Sequence, residues 1–468
     1  MSHKKQRPRA IEFLYDNSMF LIAGTIGALV WANAAPESYE HFVHLDLTGG
    51  GSHHAAPAHN DTGHGEAAHE KTTEHTPESA AETVASTGAA SKEDSLGKAA
   101  AKNEIGEDAP TTEQHGVTLH FLINDILMAL FFAIAGKEVW EAMLPGGALS
   151  DPKKAATPLL ATVGGVLGPA AIYMAGVILS GQQELTNGWA VPCATDIAFS
   201  YLVARMIFGH GHPAIAFLLL LAIADDAAGL VILAIFYPTS ELALEWMGLA
   251  LAGMAVGLGF QKLKLQSFWW YLLIPGVASW FAFYKAGIHP ALGLIPIIPI
   301  MPHAKSDLGI FAHEELNRDD TLNAFEHWWK DKVELILGLF GLVNAGVAMT
   351  AVGTGTWLVL GGLIVGKPVG ITFMTWFACR VLGLKMPEGM NYRHVVTLGM
   401  IAAIGFTVAL FVSTAAFPPG STLDSVKMGA LGSFGAAGLS FLVAKLVGVK
   451  NPNRNENGDS EGQVTQAA

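Results

Sequence analysis

Four ionisable side chains lie where charge is costly. Asp225 and Asp226 sit together within the apolar stretch 222–229, Asp196 follows Pro192, Cys193, Ala194 and Thr195, and Lys367 stands between Gly366 and Pro368. A charge at mid-bilayer costs at least ~2.5–3.5 kcal/mol, so such residues are functional candidates by default. The simplest structural alternative is an ion pair, for example Asp225 with Lys367, that holds two helices together. Three deep carboxylates against one lysine do not balance, however, and neutrality then needs protons or a bound cation. Ionised carboxylates are hard oxygen ligands suited to a hard cation such as Na+ or Li+, and clustered ones titrate as a coupled set. A site that holds either cation or protons, but not both, is the minimum apparatus for exchange. Neighbours on a helix project about 100° apart. One of the two adjacent aspartates is therefore expected to face a water-filled cavity and the other a neighbouring helix.

The elements that must position these groups are apolar runs of about 20 residues, the length that spans a bilayer. Twelve are legible, near 18–35, 118–142, 156–180, 185–206, 213–236, 242–261, 268–285, 288–302, 333–352, 357–380, 393–416 and 427–448. The expected fold class is therefore an all-α polytopic membrane protein. Lysines and arginines cluster in alternate connections: Lys4, Lys5, Arg7 and Arg9 at the start, then Lys153, Lys154, Arg205, Lys262, Lys264, Arg380 and Lys385, and Lys445 and Lys450 at the end. Basic residues stay on the cytoplasmic side, which places both termini inside. The resulting organisation is an inner tail 1–17, a first membrane helix 18–35, an external segment 36–117, a membrane core 118–450 and an inner tail 451–468. A cleaved signal peptide ending near Ala32-Asn33-Ala34 is the competing reading of the N-terminus. Glu12 and Asp16 ahead of the apolar run disfavour it.

Two runs carry helix breakers beside polar groups: Pro192 with Thr195 and Asp196 in the fourth, and Gly405 with Thr407 in the eleventh. Unwound backbone at membrane depth survives only where it lines a cavity or is buried in protein. Paired interrupted segments in the two halves of a chain mark a midplane transport site. Opposed half-helix ends place partial charges at such a crossing; Asp196 is expected to offset the positive ends and Lys367 the negative ones. The inverted repeat is inferred from span order and breaks alone.

Only 14% of the 468 residues are charged and 51% are hydrophobic, which excludes an ordinary soluble enzyme. The net charge of −13 is concentrated in residues 36–117, whose fifteen acids and four bases give −11. Residues 50–114 hold almost no large apolar side chain and are expected to be a disordered external tether. Their histidines, His53, His54, His59, His64, His69 and His75, are too irregularly spaced to favour a metal site over a solvated chain. The flanks 41–47 and 115–120 alternate partly and are expected to pair as a short external hairpin. No basic patch points to nucleic acid, and Cys193 and Cys379 support neither a disulfide nor a metal centre.

Ala194-Thr-Asp-Ile-Ala-Phe199, Ala224-Asp-Asp226, Gly366-Lys-Pro368 and Gly405-Phe-Thr407, in that order, resemble the motifs of NhaA-type sodium/proton antiporters. The resemblance covers nearly the whole chain outside 50–114 and the tails. It implies an NhaA-like fold with two interrupted helices crossing at the midplane, and electrogenic exchange of internal Na+ or Li+ for external protons across a bacterial inner membrane, without a cofactor. It also implies that Asp226 is the main cation ligand, that Asp225 pairs with Lys367, and that Ala194, Thr195, Asp196, Gly405, Phe406 and Thr407 form the crossing. Asp125 matches an accessory acid. Glu138, Glu326 and His289 match residues implicated in pH sensing. The chain departs from the family at Glu141, where a basic residue is usual, and at Ala142, where an acid is usual. Glu141 is then expected to repel Glu138, and the family's pH profile does not carry over. A homodimer through the external hairpin is a further expectation. The rival readings are a sodium-coupled organic-anion symporter, which needs a more polar core, and a non-transporting membrane sensor, which has no use for an intact aspartate pair.

Overall fold

The computed structural model describes residues 19–47, 117–303 and 320–449. The basic residues of the two tails, the six histidines and the tether expectation for 50–114 lie outside the described residues, as do Lys305 and Arg318. The described chain is almost entirely helical. Helix α1 is Met19–Ala34, and α2 is the short Pro36–Val43. They are followed by α3 (Leu119–Met143), α4 (Pro152–Ser180), a 3-10 segment Gln183–Cys193, α5 (Ile197–Phe208), α6 (Pro213–Phe236) and α7 (Leu244–Lys262). Helix α8 covers 268–286 and contains a π turn at Leu272–Gly276. Two short 3-10 turns then lead to α9 (Thr321–Asn344). Helix α10 is Thr354–Arg380, α11 Tyr392–Ala402, α12 Phe406–Ala416 and α13 Ser421–Val447.

Six of these helices are long and apolar enough to cross a membrane, or eight if each bent pair is one crossing. The other apolar runs form shorter or more polar helical segments, so helix length does not reproduce the expected twelve full crossings. The run near 333–352 belongs to a helix that begins at Thr321, where Asp320 caps it by accepting from Asn323 N (2.9 Å). That helix ends at Asn344, whose amide exchanges hydrogen bonds with Asn124 of α3 (2.8 and 3.0 Å).

The expected hairpin is reduced to one antiparallel bridge between Asp46 and Thr118. Leu47 N–H donates to Val117 O (2.9 Å) and Leu119 N–H to Leu45 O (3.0 Å). The residues before it are helical instead. Pro36 occupies the first turn, where a missing N–H costs nothing, and buried Tyr39 and Val43 lie four apart on one face. The Tyr39 hydroxyl fastens α2 to the end of α9 through the Leu342 and Val343 carbonyls (2.9 and 2.8 Å) and Gly346 N–H (3.2 Å).

Two features fix the helices around Lys367. A Cβ added to Gly164 would collide with the Gly370 carbonyl, and one added to Gly370 with that of Gly164. Helices α4 and α10 thus touch backbone to backbone, as small residues allow in membranes. A π turn, Gly362–Gly366, immediately precedes Lys367. Such single wide turns are frequent at functional sites because they re-aim the side chains that follow.

Candidate cation and proton site

Both interrupted segments break where breakers stand in the sequence. The 3-10 segment Gln183–Cys193 meets α5 at a bend of 53°, and α11 meets α12 at 50°. The two breaks are stitched together: Asp196 N–H donates to Ile404 O at 2.7 Å. A Cβ on Gly405 would lie 2.9 Å from the Ala194 carbonyl, so a larger residue would push the crossing apart. The Asp196 carboxylate caps both following helices. It accepts from Phe199 N–H (3.3 Å) in α5, and from Thr407 N–H (3.3 Å) and the Thr407 hydroxyl in α12. An anion thus sits at two positive helix ends. Phe406 fills the space behind them, in edge contact with Phe434 at 4.4 Å between ring centroids.

Lys367 lies on the opposite side of the crossing, fully buried. Its Nζ is 2.9 Å from Asp225 Oδ2 and donates to the Cys193 carbonyl at 2.5 Å, at the carbonyl end of the 3-10 segment. Thr195 Oγ1 donates to the same Asp225 oxygen at 2.7 Å. The other oxygen, Asp225 Oδ1, is buried with no hydrogen-bond partner among the described residues. An unsatisfied buried acceptor costs about 1–3 kcal/mol.

Asp225 and Asp226 both border a small cavity walled by Phe131 and Phe132 of α3, Leu230 of α6 and Phe411 of α12. A second cavity shares the Asp225 wall and continues to Tyr237, beyond the C-terminal end of α6. Apart from the two carboxylates the walls of the first cavity are apolar, so ions there have little other than these groups to bind.

The remaining candidates fall into two separate groups. At one end of α3, buried Lys137 Nζ touches Glu326 Oε2 of α9 (2.5 Å) and also pairs with Glu141, one turn along its own helix. Glu141 is therefore tied to a cation, where its position three residues from Glu138 suggests only repulsion. The missed signal is the spacing of Lys137 and Glu141, since residues four apart on a helix are neighbours. His289 does not join this cluster. It lies near the other end of α3, with Nδ1 3.9 Å from Asp125 Oδ1 and its ring 4.9 Å from that of Phe411. Asp125 sits in a π turn, Leu122–Leu127, and its backbone carbonyl accepts from Trp280 Nε1 (2.8 Å). Among the described residues no cluster of His, Cys, Asp and Glu forms a metal cage.

Paired broken helices crossing beside buried carboxylates, in an all-helical membrane frame, define a secondary transporter rather than an enzyme. Residues 81–444 match the family model described as Na+/H+ antiporter 1, and the chain belongs to that family. It is 45% identical over 465 residues to the Na(+)/H(+) antiporter NhaA of Jannaschia sp. (strain CCS1), covering 94% of this chain and 99% of that relative. It is 40% identical over 445 residues to the namesake from Desulfitobacterium hafniense (strain DSM 10664 / DCB-2), covering 94% and 97%. The antiporter of Geotalea uraniireducens (strain Rf4) is 41% identical over 444 residues, covering 94% and 98%.

Proposed function

We propose that this chain exchanges Na+ for protons at Asp225 and Asp226. It is a sodium/proton antiporter that serves sodium and pH homeostasis, and the site residues carry the exchange as follows. The observation that carries the site assignment is a pair of carboxylates on an apolar cavity, one of them with an unused acceptor: Asp225 Oδ1 has no hydrogen-bond partner among the described residues, and Asp226 borders the same cavity. In water-poor surroundings an anion in this condition takes a proton or a cation. Lys367 and Thr195 hold Asp225 Oδ2 in place, and Asp196 fixes the crossing on which both halves of the site depend. With the site open inward, protons leave and Na+ binds. After the core moves, Na+ leaves outward and protons return. Two titrating carboxylates for one monovalent ion imply net charge movement, so the proton gradient drives Na+ out.

Several finer readings accompany this one. Li+ shares the site because it is an equally hard monovalent cation. The basic connections put both termini on the cytoplasmic side of a bacterial inner membrane. The external segments around Asp46 and Thr118 are a candidate contact between two copies. Glu138, Glu141 and Glu326 around Lys137 are a candidate pH-responsive group. Everted membrane vesicles with a pH-gradient dye test the function. Addition of Na+ or Li+ dissipates the gradient, whereas K+ and buffer do not. A response to K+ equal to that to Na+ would remove the cation selectivity on which the reading depends.

A further inference from the structure

The two cavities beside the crossing meet at Asp225 and part from there. On α6, Asp226 and Leu230 border the first cavity only, and Ile232 borders the second only, as does Tyr237 just past the helix end. Asp225, Gly229 and Leu233 border both. Residues four apart share a helix face, so this row is the ridge between the two spaces. Val166 of α4 and Ala190 and Cys193 of the 3-10 segment form the opposite wall of the second cavity. Tyr237 lies twelve residues after Asp225, about 18 Å along the helix axis. In the orientation given above it stands at the external end.

The chemistry of this second cavity suits a proton and not Na+. Among the described residues, no side chain on its walls between Asp225 and Tyr237 carries an oxygen. Na+ passing there would lose its hydration shell with nothing to replace it, whereas a proton needs only a short file of water. The file ends on an atom ready to take it. Asp225 is only 3% exposed, and its Oδ1 has no hydrogen-bond partner among the described residues. A proton arriving there neutralises the carboxyl while Oδ2 keeps its bonds from Lys367 and Thr195. At the external end the way is shut. The Tyr237 hydroxyl donates to the Asn187 carbonyl (2.7 Å), and Phe236 meets Trp189 edge-on at 5.3 Å between centroids. Both contacts clasp the end of α6 to the 3-10 segment, whose hydrogen-bond geometry is poorer than that of an α-helix.

We propose that the second cavity is a proton route of its own: it delivers external protons to Asp225, Na+ reaches Asp226 through the first cavity, and the Tyr237–Asn187 clasp is the gate. The proposal rests on the exchange reading and the orientation above, and deepens them by giving the two substrates separate approaches to one site. External water supplies the proton, which binds Asp225 Oδ1 and leaves inward when Na+ takes its place. The gate follows from the same arrangement. A route left open to the outside while the site faces inward would let protons run through without Na+.

The test uses the full chain in proteoliposomes. Ala190→Leu fills the second cavity and Ala135→Leu the first, since each alanine borders only one of them. Two readouts are compared: Na+-driven proton movement, and exchange of radioactive Na+ for Na+ at equal concentration and pH, which needs no proton. Ala190→Leu is expected to slow proton movement about tenfold or more while keeping Na+ for Na+ exchange within about twofold, because it blocks only the water file. Ala135→Leu is expected to slow both. An Ala190→Leu protein in which both readouts fall alike, or neither falls, would overturn the separate route. If that variant fails to insert, Ile232→Phe in the same wall should give the same split, and an equal effect on both readouts would overturn the route likewise. Tyr237→Phe keeps the ring and removes the clasp, and is expected to raise proton leak without Na+ about threefold or more. An unchanged leak would overturn the gate. A wild type that moves no protons on Na+ addition at any pH would instead overturn the exchange reading itself.

Discussion

At the residue scale the site is an arrangement of one buried cation and unequal carboxylates. Lys367 serves two acceptors, Asp225 Oδ2 and the Cys193 carbonyl. Removing one member of a buried pair leaves the other uncompensated, typically at about 3–5 kcal/mol. Lys367→Ala is therefore expected to lower thermal stability in detergent by that order, and to make exchange less electrogenic. An unchanged melting temperature together with unchanged voltage sensitivity would show that Lys367 is not the counter-charge of Asp225. The imbalance of three acids and one lysine was legible in the sequence because a deep charge needs no structure to be noticed. The second acceptor of Lys367 was not, since a backbone carbonyl carries no residue signature. The Lys137–Glu141–Glu326 cluster was half legible. Its helical spacing lies in the chain, but its contact with Glu326 joins residues 189 apart.

At the element scale the two breaks could be read from Pro192 and Gly405, because these residues interrupt otherwise continuous apolar runs. The π turns before Lys367 and at Asp125 could not, as an extra residue in a helical turn leaves composition unchanged. Residues 41–43, expected to open a hairpin strand, are instead the last turn of helix α2. Its partial alternation competes with the four-residue spacing of Tyr39 and Val43, and the docking of Tyr39 on α9 decides between them. Burial raises the Tyr39 hydroxyl to a pKa of about 12. Its contribution to stability is therefore complete below pH ~10 and is lost as pH rises from there toward about 12. Tyr39→Phe orphans buried backbone groups and should cost about 1–3 kcal/mol, seen as a lower melting temperature at neutral pH. An unaltered melt would mean that the α2 clasp contributes nothing. The crossing of α4 on α10 is tighter still. Gly164→Val, which has no room against Gly370, should reduce properly inserted protein and abolish exchange. Wild-type exchange by this variant would contradict the backbone-to-backbone contact.

At the scale of the whole molecule, sequence and structure agree on an all-helical membrane protein, and helix length among the described residues accounts for six to eight of the twelve expected crossings. Hydropathy detects apolar content, whereas crossing by one straight helix also needs length. Met19–Ala34 and the turns at Pro290–Ile300 are apolar but short. The acidic segment carries most of the net charge but none of the candidate site residues. Deleting residues 52–112 keeps the bridge between Asp46 and Thr118 and is expected to leave Na+-dependent exchange within about twofold of the full chain. Loss of exchange in a well-inserted deletion protein would give that segment a direct part in transport.

The central claim is that Asp225 and Asp226 hold either protons or Na+. It is tested most directly by adding Na+ to purified protein in weakly buffered detergent solution and recording proton release. The wild type should release protons on addition of Na+ and not of K+, and Asp226→Asn, properly folded, should release none. Na+ binding by the wild type without proton release, or undiminished release from Asp226→Asn, would contradict the account.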